Sequence, residues 1–212
     1  MSDKTSHPII LEVKGLTRRF PGVLALNQVD LDVRVGEIHA LVGENGAGKS
    51  TMINILAGVL QPSGGEVFMD GDHIAFHNPV DAQHAGISVI FQEFNLIPHL
   101  SVAENIFINR EPTRYGVIDR KVMNQRSVEV LERLEIDIDP RQPVSSLSVA
   151  QQQLVEIARA LTFDARVIVM DEPTAALSER EVDSLLEIVH SLARNDVSII
   201  YVSHKLEEVF RV

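Results

Sequence analysis

The sequence contains no cysteine, which excludes disulfides, thiolate nucleophiles and cysteine-ligated zinc. It has no apolar run near the ~20 residues a helix needs to cross a bilayer, and its N-terminus carries no signal-peptide pattern. Clustered positive charge is also missing. Lys and Arg total 19 against 30 Asp and Glu, a formal net charge of −11, and the densest basic run is Thr17-Arg18-Arg19. A nucleic-acid binder of this size usually presents a basic face, so DNA, RNA and ribosomal partners are disfavoured. Internal repeats and low-complexity segments are absent as well. These absences lead to the expectation of a soluble protein, cytoplasmic by default, with no nucleic-acid partner. The eight histidines are scattered. His73 and His77 lie close in sequence but fall in a strand pair, which favours surface or packing roles over a metal site.

What is present is more specific. The 212 residues, 45 % of them hydrophobic, suffice for one mixed α/β core with room for an inserted subdomain. Gly43-Glu44-Asn45-Gly46-Ala47-Gly48-Lys49-Ser50-Thr51 fits the phosphate-loop pattern G-x-x-x-x-G-K-[ST]. The apolar run Ile38 to Val42 leads in as a strand. A helical stretch, Lys49 to Ala57, leads out and is stopped by Gly58. Glycines let such a loop curl its N–H groups toward phosphate oxygens, and the helix N-terminus adds partial positive charge. Lys49 supplies a point charge for the β and γ phosphates of a nucleoside triphosphate, and the Ser50 hydroxyl suits a Mg²⁺ ligand position.

Along the chain, Ile9 to Val13 and Leu24 to Val33 alternate as half-buried strands. Glu66 to Met69 and His73 to Phe76 read as a hairpin across Asp70-Gly71, and Asn78 caps a short helix before Gly86. Ser88 to Phe91, Arg166 to Met170 and Val197 to Val202 are buried-type strands. Residues about 94–160 read as helices only: one opened by the capping box Ser101–Glu104, one from Asp119 or Arg120 to about Glu135, and one from Ser148 to Phe163. A helix opens at Ser178–Glu181 and another begins near His204. The alternation of strands and helices predicts a mostly parallel sheet. The division expected is a core of about 9–92 and 161–212, interrupted by a helical subdomain at about 94–160.

The strand Val167 to Met170 ends in Asp171 and Glu172. In a phosphate-loop protein the first acid at such a strand end belongs beside Mg²⁺, and the second is placed to polarise an attacking water. The strand Tyr201 to Ser203 delivers His204 to the same sheet edge, where it could contact the γ phosphate and hold Glu172. Gln92 follows the strand Ser88 to Phe91 at that edge and can ligate Mg²⁺ or water without adding charge.

Leu147-Ser148-Val149-Ala150-Gln151-Gln152-Gln153, read with these motifs in this order, resembles the signature of an ATP-binding cassette (ABC) ATPase. The resemblance covers nearly all of residues 9–212. It implies a phosphate-loop NTPase (RecA-like) α/β core with an antiparallel β subdomain and an inserted helical subdomain. It also implies that Phe20 stacks on adenine, that residues 43–51 hold ATP and that Gln92 is the Q-loop residue. Asp171 becomes the Walker B acid, Glu172 the catalytic base, His204 the switch histidine and Ala175 to Ser178 the D-loop. Ser148, Val149, Ala150 and Gln151 then contact the γ phosphate bound by an opposing cassette. Val149 and Ala150 stand where the family usually has glycines, and Ser178 where Asp is commoner. Both departures resemble the cassettes of monosaccharide importers of the ribose, galactose and xylose type. Those cassettes commonly occur in tandem, and this chain matches the first, C-terminally incomplete. The implied partners are a second cassette, integral membrane permease subunits and, indirectly, a sugar-binding protein, with the chain peripheral on the cytoplasmic face of the inner membrane. Phe94 to Leu100 is the segment expected to meet a permease helix. A soluble ABC ATPase acting on ribosomes or DNA, and a catalytically silent nucleotide-binding module, stand as alternatives.

Overall fold

The computed structural model describes residues 7–44 and 46–212. The strands are β1 (Ile9–Phe20), β2 (Val23–Arg34), β3 (Ile38–Val42), β4 (Gly64–Met69), β5 (Asp72–Ile74), β6 (Ile87–Ile90), β7 (Thr113–Arg114), β8 (Val117–Ile118), β9 (Val167–Asp171) and β10 (Ser198–Ser203). The helices are α1 (Lys49–Leu56), α2 (Pro79–His84), α3 (Val102–Ile106), α4 (Arg120–Arg133), α5 (Val149–Thr162), α6 (Glu179–Arg194) and α7 (Leu206–Arg211). The expected hairpin forms at β4–β5, its turn residues Asp70 and Gly71 both at positive φ, as a tight two-residue loop requires. Asn78 caps α2 by accepting from the Val80 and Asp81 N–H groups.

β3, β10, β9 and β6 form a parallel sheet in that order, while β2, β1, β4 and β5 form an antiparallel one. Side chains alternate across the parallel sheet, and both faces are covered, as parallel strands require. Val167 and Val169 of β9, with Ile200 and Val202 of β10, face a core shared with Met52, Ile53, Ile55 and Leu56 of α1 and with the inner face of β1. α1 is therefore sandwiched between the two sheets. Ile168 and Met170, with Ile199 and Tyr201, face the opposite core, which contains Ile106, Leu131, Val155 and Ile157 together with Leu185 and Val189 of α6. The apolar residues of β9 from Val167 to Met170 are all 0 % exposed, and each side chain of that size contributes about 1.5–3 kcal/mol on burial.

The helices expected between residues 94 and 160 are present, and they share one continuous core with α6 and the sheet. Two expectations need correction. The segment is not free of strand: β7 and β8 pair antiparallel as a small hairpin. Its side of the turn carries Tyr115 at positive φ and the neighbouring Gly116, a turn signal hidden in a stretch without apolar alternation. The last helix also starts later than expected, at Leu206 with Lys205 at its N-cap, leaving His204 in the connection.

Asn105 on α3 is 1 % exposed and acts as a backbone substitute. Its Oδ1 accepts from the Ile97 N–H at 2.7 Å, and its Nδ2 donates to the Ile97 and Ser101 carbonyls, each at 3.0 Å. It thereby fixes the irregular segment between β6 and α3. Replacement by Leu leaves these backbone groups buried without partners, each costing about 1–3 kcal/mol. Asn105→Leu is therefore expected to lower stability by about 3 kcal/mol in chemical denaturation; a change under about 1 kcal/mol would show that the loop re-pairs elsewhere.

Candidate functional site

All four strands of the parallel sheet run the same way, so their carboxyl ends share one edge. There β3 hands over to the glycine-rich loop, β6 to Gln92, β9 to Glu172 and β10 to His204. Register sets the neighbours: Val202 pairs with Asp171, and Ser203 with Val42. A cavity of about 350 Å³ opens at this edge. Gly46, Gly48, Lys49, Ser50 and Thr51 line it from the loop and α1. Gln92, Asp171 and Glu172 line it from the other strand ends, and Val23 to Ala25 of β2 close the remaining side.

The loop is shaped by its glycines at two positions. Gly48, the N-cap of α1, has φ 92°, a region that residues with a Cβ rarely adopt. A Cβ there would also stand 2.6 Å from the Ala25 carbonyl oxygen. Gly46 has φ 86°. The N-cap residue of α1, Gly48, has no side chain with which to cap it, so the N–H groups of its first turn are left for an anionic ligand. The Lys49 ammonium folds back over the loop, donating to the carbonyls of Gly43 and Glu44. Asn45, an expected member of the phosphate loop, lies outside the described residues.

Across the cavity, burial pushes the Asp171 carboxyl up, and the neighbouring Glu172 adds to this, while Lys49 opposes both. Glu172 sits at φ 46°, a left-handed conformation costly for a non-glycine residue. Its N–H donates to the Val202 carbonyl at 3.0 Å, and its carbonyl accepts from the Ala175 N–H at 3.2 Å. The side chain meets His204: Nδ1 and the Glu172 Oε1 are 2.9 Å apart. Ser50, Gln92 and Asp171 offer a hydroxyl, an amide and a carboxylate on one cavity. That set suits a hard cation that keeps water and phosphate oxygens among its ligands. Among the described residues no group of three or more His, Asp and Glu forms an all-protein metal cage.

Not every expected residue meets here. Phe20 ends β1 next to Val23, 37 % exposed, with the Arg18 guanidinium 4.8 Å from its ring centre; it is outside the cavity wall. Ser148, Val149, Ala150 and Gln151 lie elsewhere, at the N-terminus of α5. Ser148, Ala150 and Gln151 line a separate groove with Leu177, Arg180 and Glu181. The Ser148 hydroxyl accepts from the Gln151 N–H at 3.3 Å, and the Gln151 side chain accepts from the Ser148 N–H at 3.0 Å. Val149 and Ala150 are therefore first-turn helical residues, at which glycine is not required conformationally. Ser178 opens α6, its N–H and hydroxyl both donating to Glu181.

Sequence reasoning missed three groups. The Val23–Ala25 wall looked like ordinary strand. Glu156, 7 % exposed, accepts from the Asn95 N–H at 2.9 Å, and Arg159 donates to the Asn95 carbonyl at 3.1 Å. Burial raises the Glu156 carboxyl, against the charge of Arg159. The only hint was a charged pair in an otherwise apolar helix face. The third group, around Glu208, carried no spacing signal at all.

The family profile described as ABC transporter matches residues 26–175. A ribose import ATP-binding protein of Rubrobacter xylanophilus is 54 % identical over 203 residues, covering 96 % of this chain and 41 % of that protein. A putative ribose/galactose/methyl galactoside import ATP-binding protein of Burkholderia cenocepacia is 50 % identical over 214 residues, covering 100 % of this chain and 42 % of that protein. The chain thus spans about two-fifths of the length of these curated relatives. Among solved structures, a nucleotide-free cassette of an ABC transporter superposes with TM-score 0.85 at 26 % identity, covering 96 % of this chain and 84 % of its own. A bacterial ABC transporter cassette solved as a dimer gives TM-score 0.80 at 28 % identity, over 95 % and 91 %. Gly48→Ala, which forces both a Cβ clash and an unfavourable φ, is expected to weaken ATP binding by at least about tenfold, read by titration of the full-length protein with a fluorescent ATP analogue. Unchanged affinity would mean that the loop does not cradle the phosphates in the conformation described.

Proposed function

The chain belongs to the ABC transporter family, and from that premise we propose that it is an ATP-binding and ATP-hydrolysing cassette that energises monosaccharide uptake through a membrane permease. The observation that carries the proposal is the convergence of Lys49, Ser50, Gln92, Asp171 and Glu172 on one cavity, with His204 on Glu172. The names of the relatives support a monosaccharide as cargo and import as the direction: one is a ribose import ATP-binding protein, the other a putative ribose/galactose/methyl galactoside import ATP-binding protein.

In this reading the amides of residues 43–51 and the Lys49 ammonium hold the triphosphate, and Phe20 stacks on the adenine from the rim. Ser50, Gln92 and Asp171 would hold Mg²⁺, and the ion would supply positive charge against the phosphate oxygens. Glu172 accepts the proton of the attacking water, and His204 orients Glu172 through the 2.9 Å contact. Ser148, Val149, Ala150 and Gln151 stand apart from this cavity, which supports their serving a nucleotide held by a second cassette. Residues 9–92 and 161–212 form the ATPase core, and 94–160 the helical subdomain. The segment Phe94 to Leu100, pinned by Asn105, Glu156 and Arg159, is the contact for the permease. No described helix is long and apolar enough to cross a membrane. As the ATP-binding subunit of an importer, the cassette acts peripherally from the cytoplasmic face of the inner membrane, with the sugar-binding protein as an indirect partner.

Glu172→Gln is expected to keep ATP affinity within about twofold while lowering turnover by about 10²–10⁴; near-normal turnover in steady state would remove Glu172 from its role. For the transport reading, the full-length protein assembled with its membrane subunits is assayed for ATP hydrolysis with a panel of pentoses and hexoses on their binding proteins. Stimulation by one sugar is expected, and a flat response from an assembled complex would overturn the importer reading.

A further inference from the structure

Behind the Glu172–His204 pair lies a buried cluster that the catalytic reading does not use. Glu208 of α7 is 5 % exposed. Its Oε2 accepts from the Thr174 hydroxyl at 2.6 Å and from the hydroxyls of Tyr201 and Ser203, each at 3.2 Å. Its other oxygen is 3.0 Å from the Lys205 ammonium. The Ser203 hydroxyl in turn accepts from the Lys205 N–H at 3.0 Å, so the backbone is held on both sides of His204. Thr174 follows Glu172 by one intervening residue, and Ser203 directly precedes His204. One carboxylate oxygen therefore ties together the segments that carry the two members of the pair.

The charge state supports such a joint. Burial pushes the Glu208 carboxyl up, but the bonds from Thr174, Lys205 and Ser203, with the charge of Lys205, outweigh it and hold the group below the ordinary carboxylate range. Burial first, and then the charge of Glu208, push the Tyr201 hydroxyl well above its usual value, so it keeps its proton and remains a donor. A buried carboxylate costs several kcal/mol unless fully paired, and here four donors from three segments complete it. The His204 side chain, by contrast, is half exposed. Glu172 has left-handed backbone. Neither would hold its place through packing alone.

We propose that Glu208 is a positioning residue for ATP hydrolysis: by gathering Thr174, Tyr201 and Ser203 on one oxygen, it sets the separation and orientation of Glu172 and His204. Glu208 does not touch nucleotide; it acts through the Glu172–His204 contact. The proposal rests on the reading of Glu172 and His204 as the hydrolytic pair.

The test is a double-mutant cycle in the full-length, assembled protein, read by release of labelled phosphate so that low rates are measurable. Glu208→Gln keeps shape and one acceptor oxygen while removing charge. It is expected to lower kcat about 10–100-fold, the scale of a misplaced catalytic group, with KM for ATP within about twofold. In a His204→Ala background the same change is expected to lower kcat less than about twofold, because the Glu172–His204 contact that it sets is already lost. Thr174→Val, which removes one donor with little change in shape, is the second variant and follows the same pattern with a smaller fall. Equal effects of Glu208→Gln in both backgrounds would overturn the proposal, as would a loss confined to KM or no loss in either variant. Failure of the underlying reading shows separately: wild-type turnover in His204→Ala alone would refute the pair itself.

Discussion

The parallel pairing of β9 with β10 is the constraint on which the site depends. The two strands lie side by side at the middle of the sheet, buried on both faces, and Val202 is set opposite Asp171. Everything beyond their carboxyl ends inherits that register. Glu172 takes a left-handed turn and bonds back to the Val202 carbonyl, while His204 leaves β10 directly alongside. A slip of β10 by one residue would exchange the faces of the whole strand, sending Ile199 and Tyr201 into the α1 core and carrying His204 out of line with Glu172. The depth of burial that makes the register expensive to change is what permits two polar side chains to be held 2.9 Å apart at a solvent-facing edge.

The two cores divide the labour on either side of that sheet. One holds α1, and with it the phosphate loop, against β1 and the parallel strands. The other holds the helices that carry Ser148 and the 94–100 segment against the opposite face. Polar residues cross-link the second core where apolar packing cannot specify position: Asn105 for the Ile97 backbone, Glu156 and Arg159 for Asn95, and Glu208 for Thr174 and Ser203. Asn105, Glu156 and Glu208 are buried polar groups satisfied by defined partners, with Arg159 half-buried beside Glu156, and each sits beneath an irregular connection.

Much of this was legible in the sequence because it is local. The glycine pattern at residues 43–51, the apolar strands ending in Asp171-Glu172 and Ser203-His204, and the Asp70-Gly71 turn all follow from short-range rules of backbone conformation and periodicity. Val149, Ala150 and Ser178 were legible as departures from a pattern, and Ser148 and Ser178 as helix starts. The bonds at those starts, in both directions between Ser148 and Gln151 and from Ser178 to Glu181, needed coordinates. Other features were not legible because the information is non-local. Glu208 is distant in sequence from Thr174, and Glu156 from Asn95, so no spacing connects them. The Val23–Ala25 wall is contributed by a strand of the other sheet. The β7–β8 hairpin is too short to show alternation, and its exposed Tyr115 and Val117 look nothing like a buried strand.

The clamp on Asn95 has a geometric consequence. α5 grips that residue through Glu156 and Arg159 partway along its length and ends at Ser148. At about 1.5 Å per residue, the distance from Glu156 to the helix start is an arm of about 12 Å. A tilt of about five degrees around Asn95 therefore carries the Ser148 hydroxyl about 1 Å, roughly the difference between a hydrogen bond and none. The clamp and Ser148 are thus the two ends of one stiff arm, and any rotation of α5 about Asn95 would be magnified at Ser148 in proportion to that length.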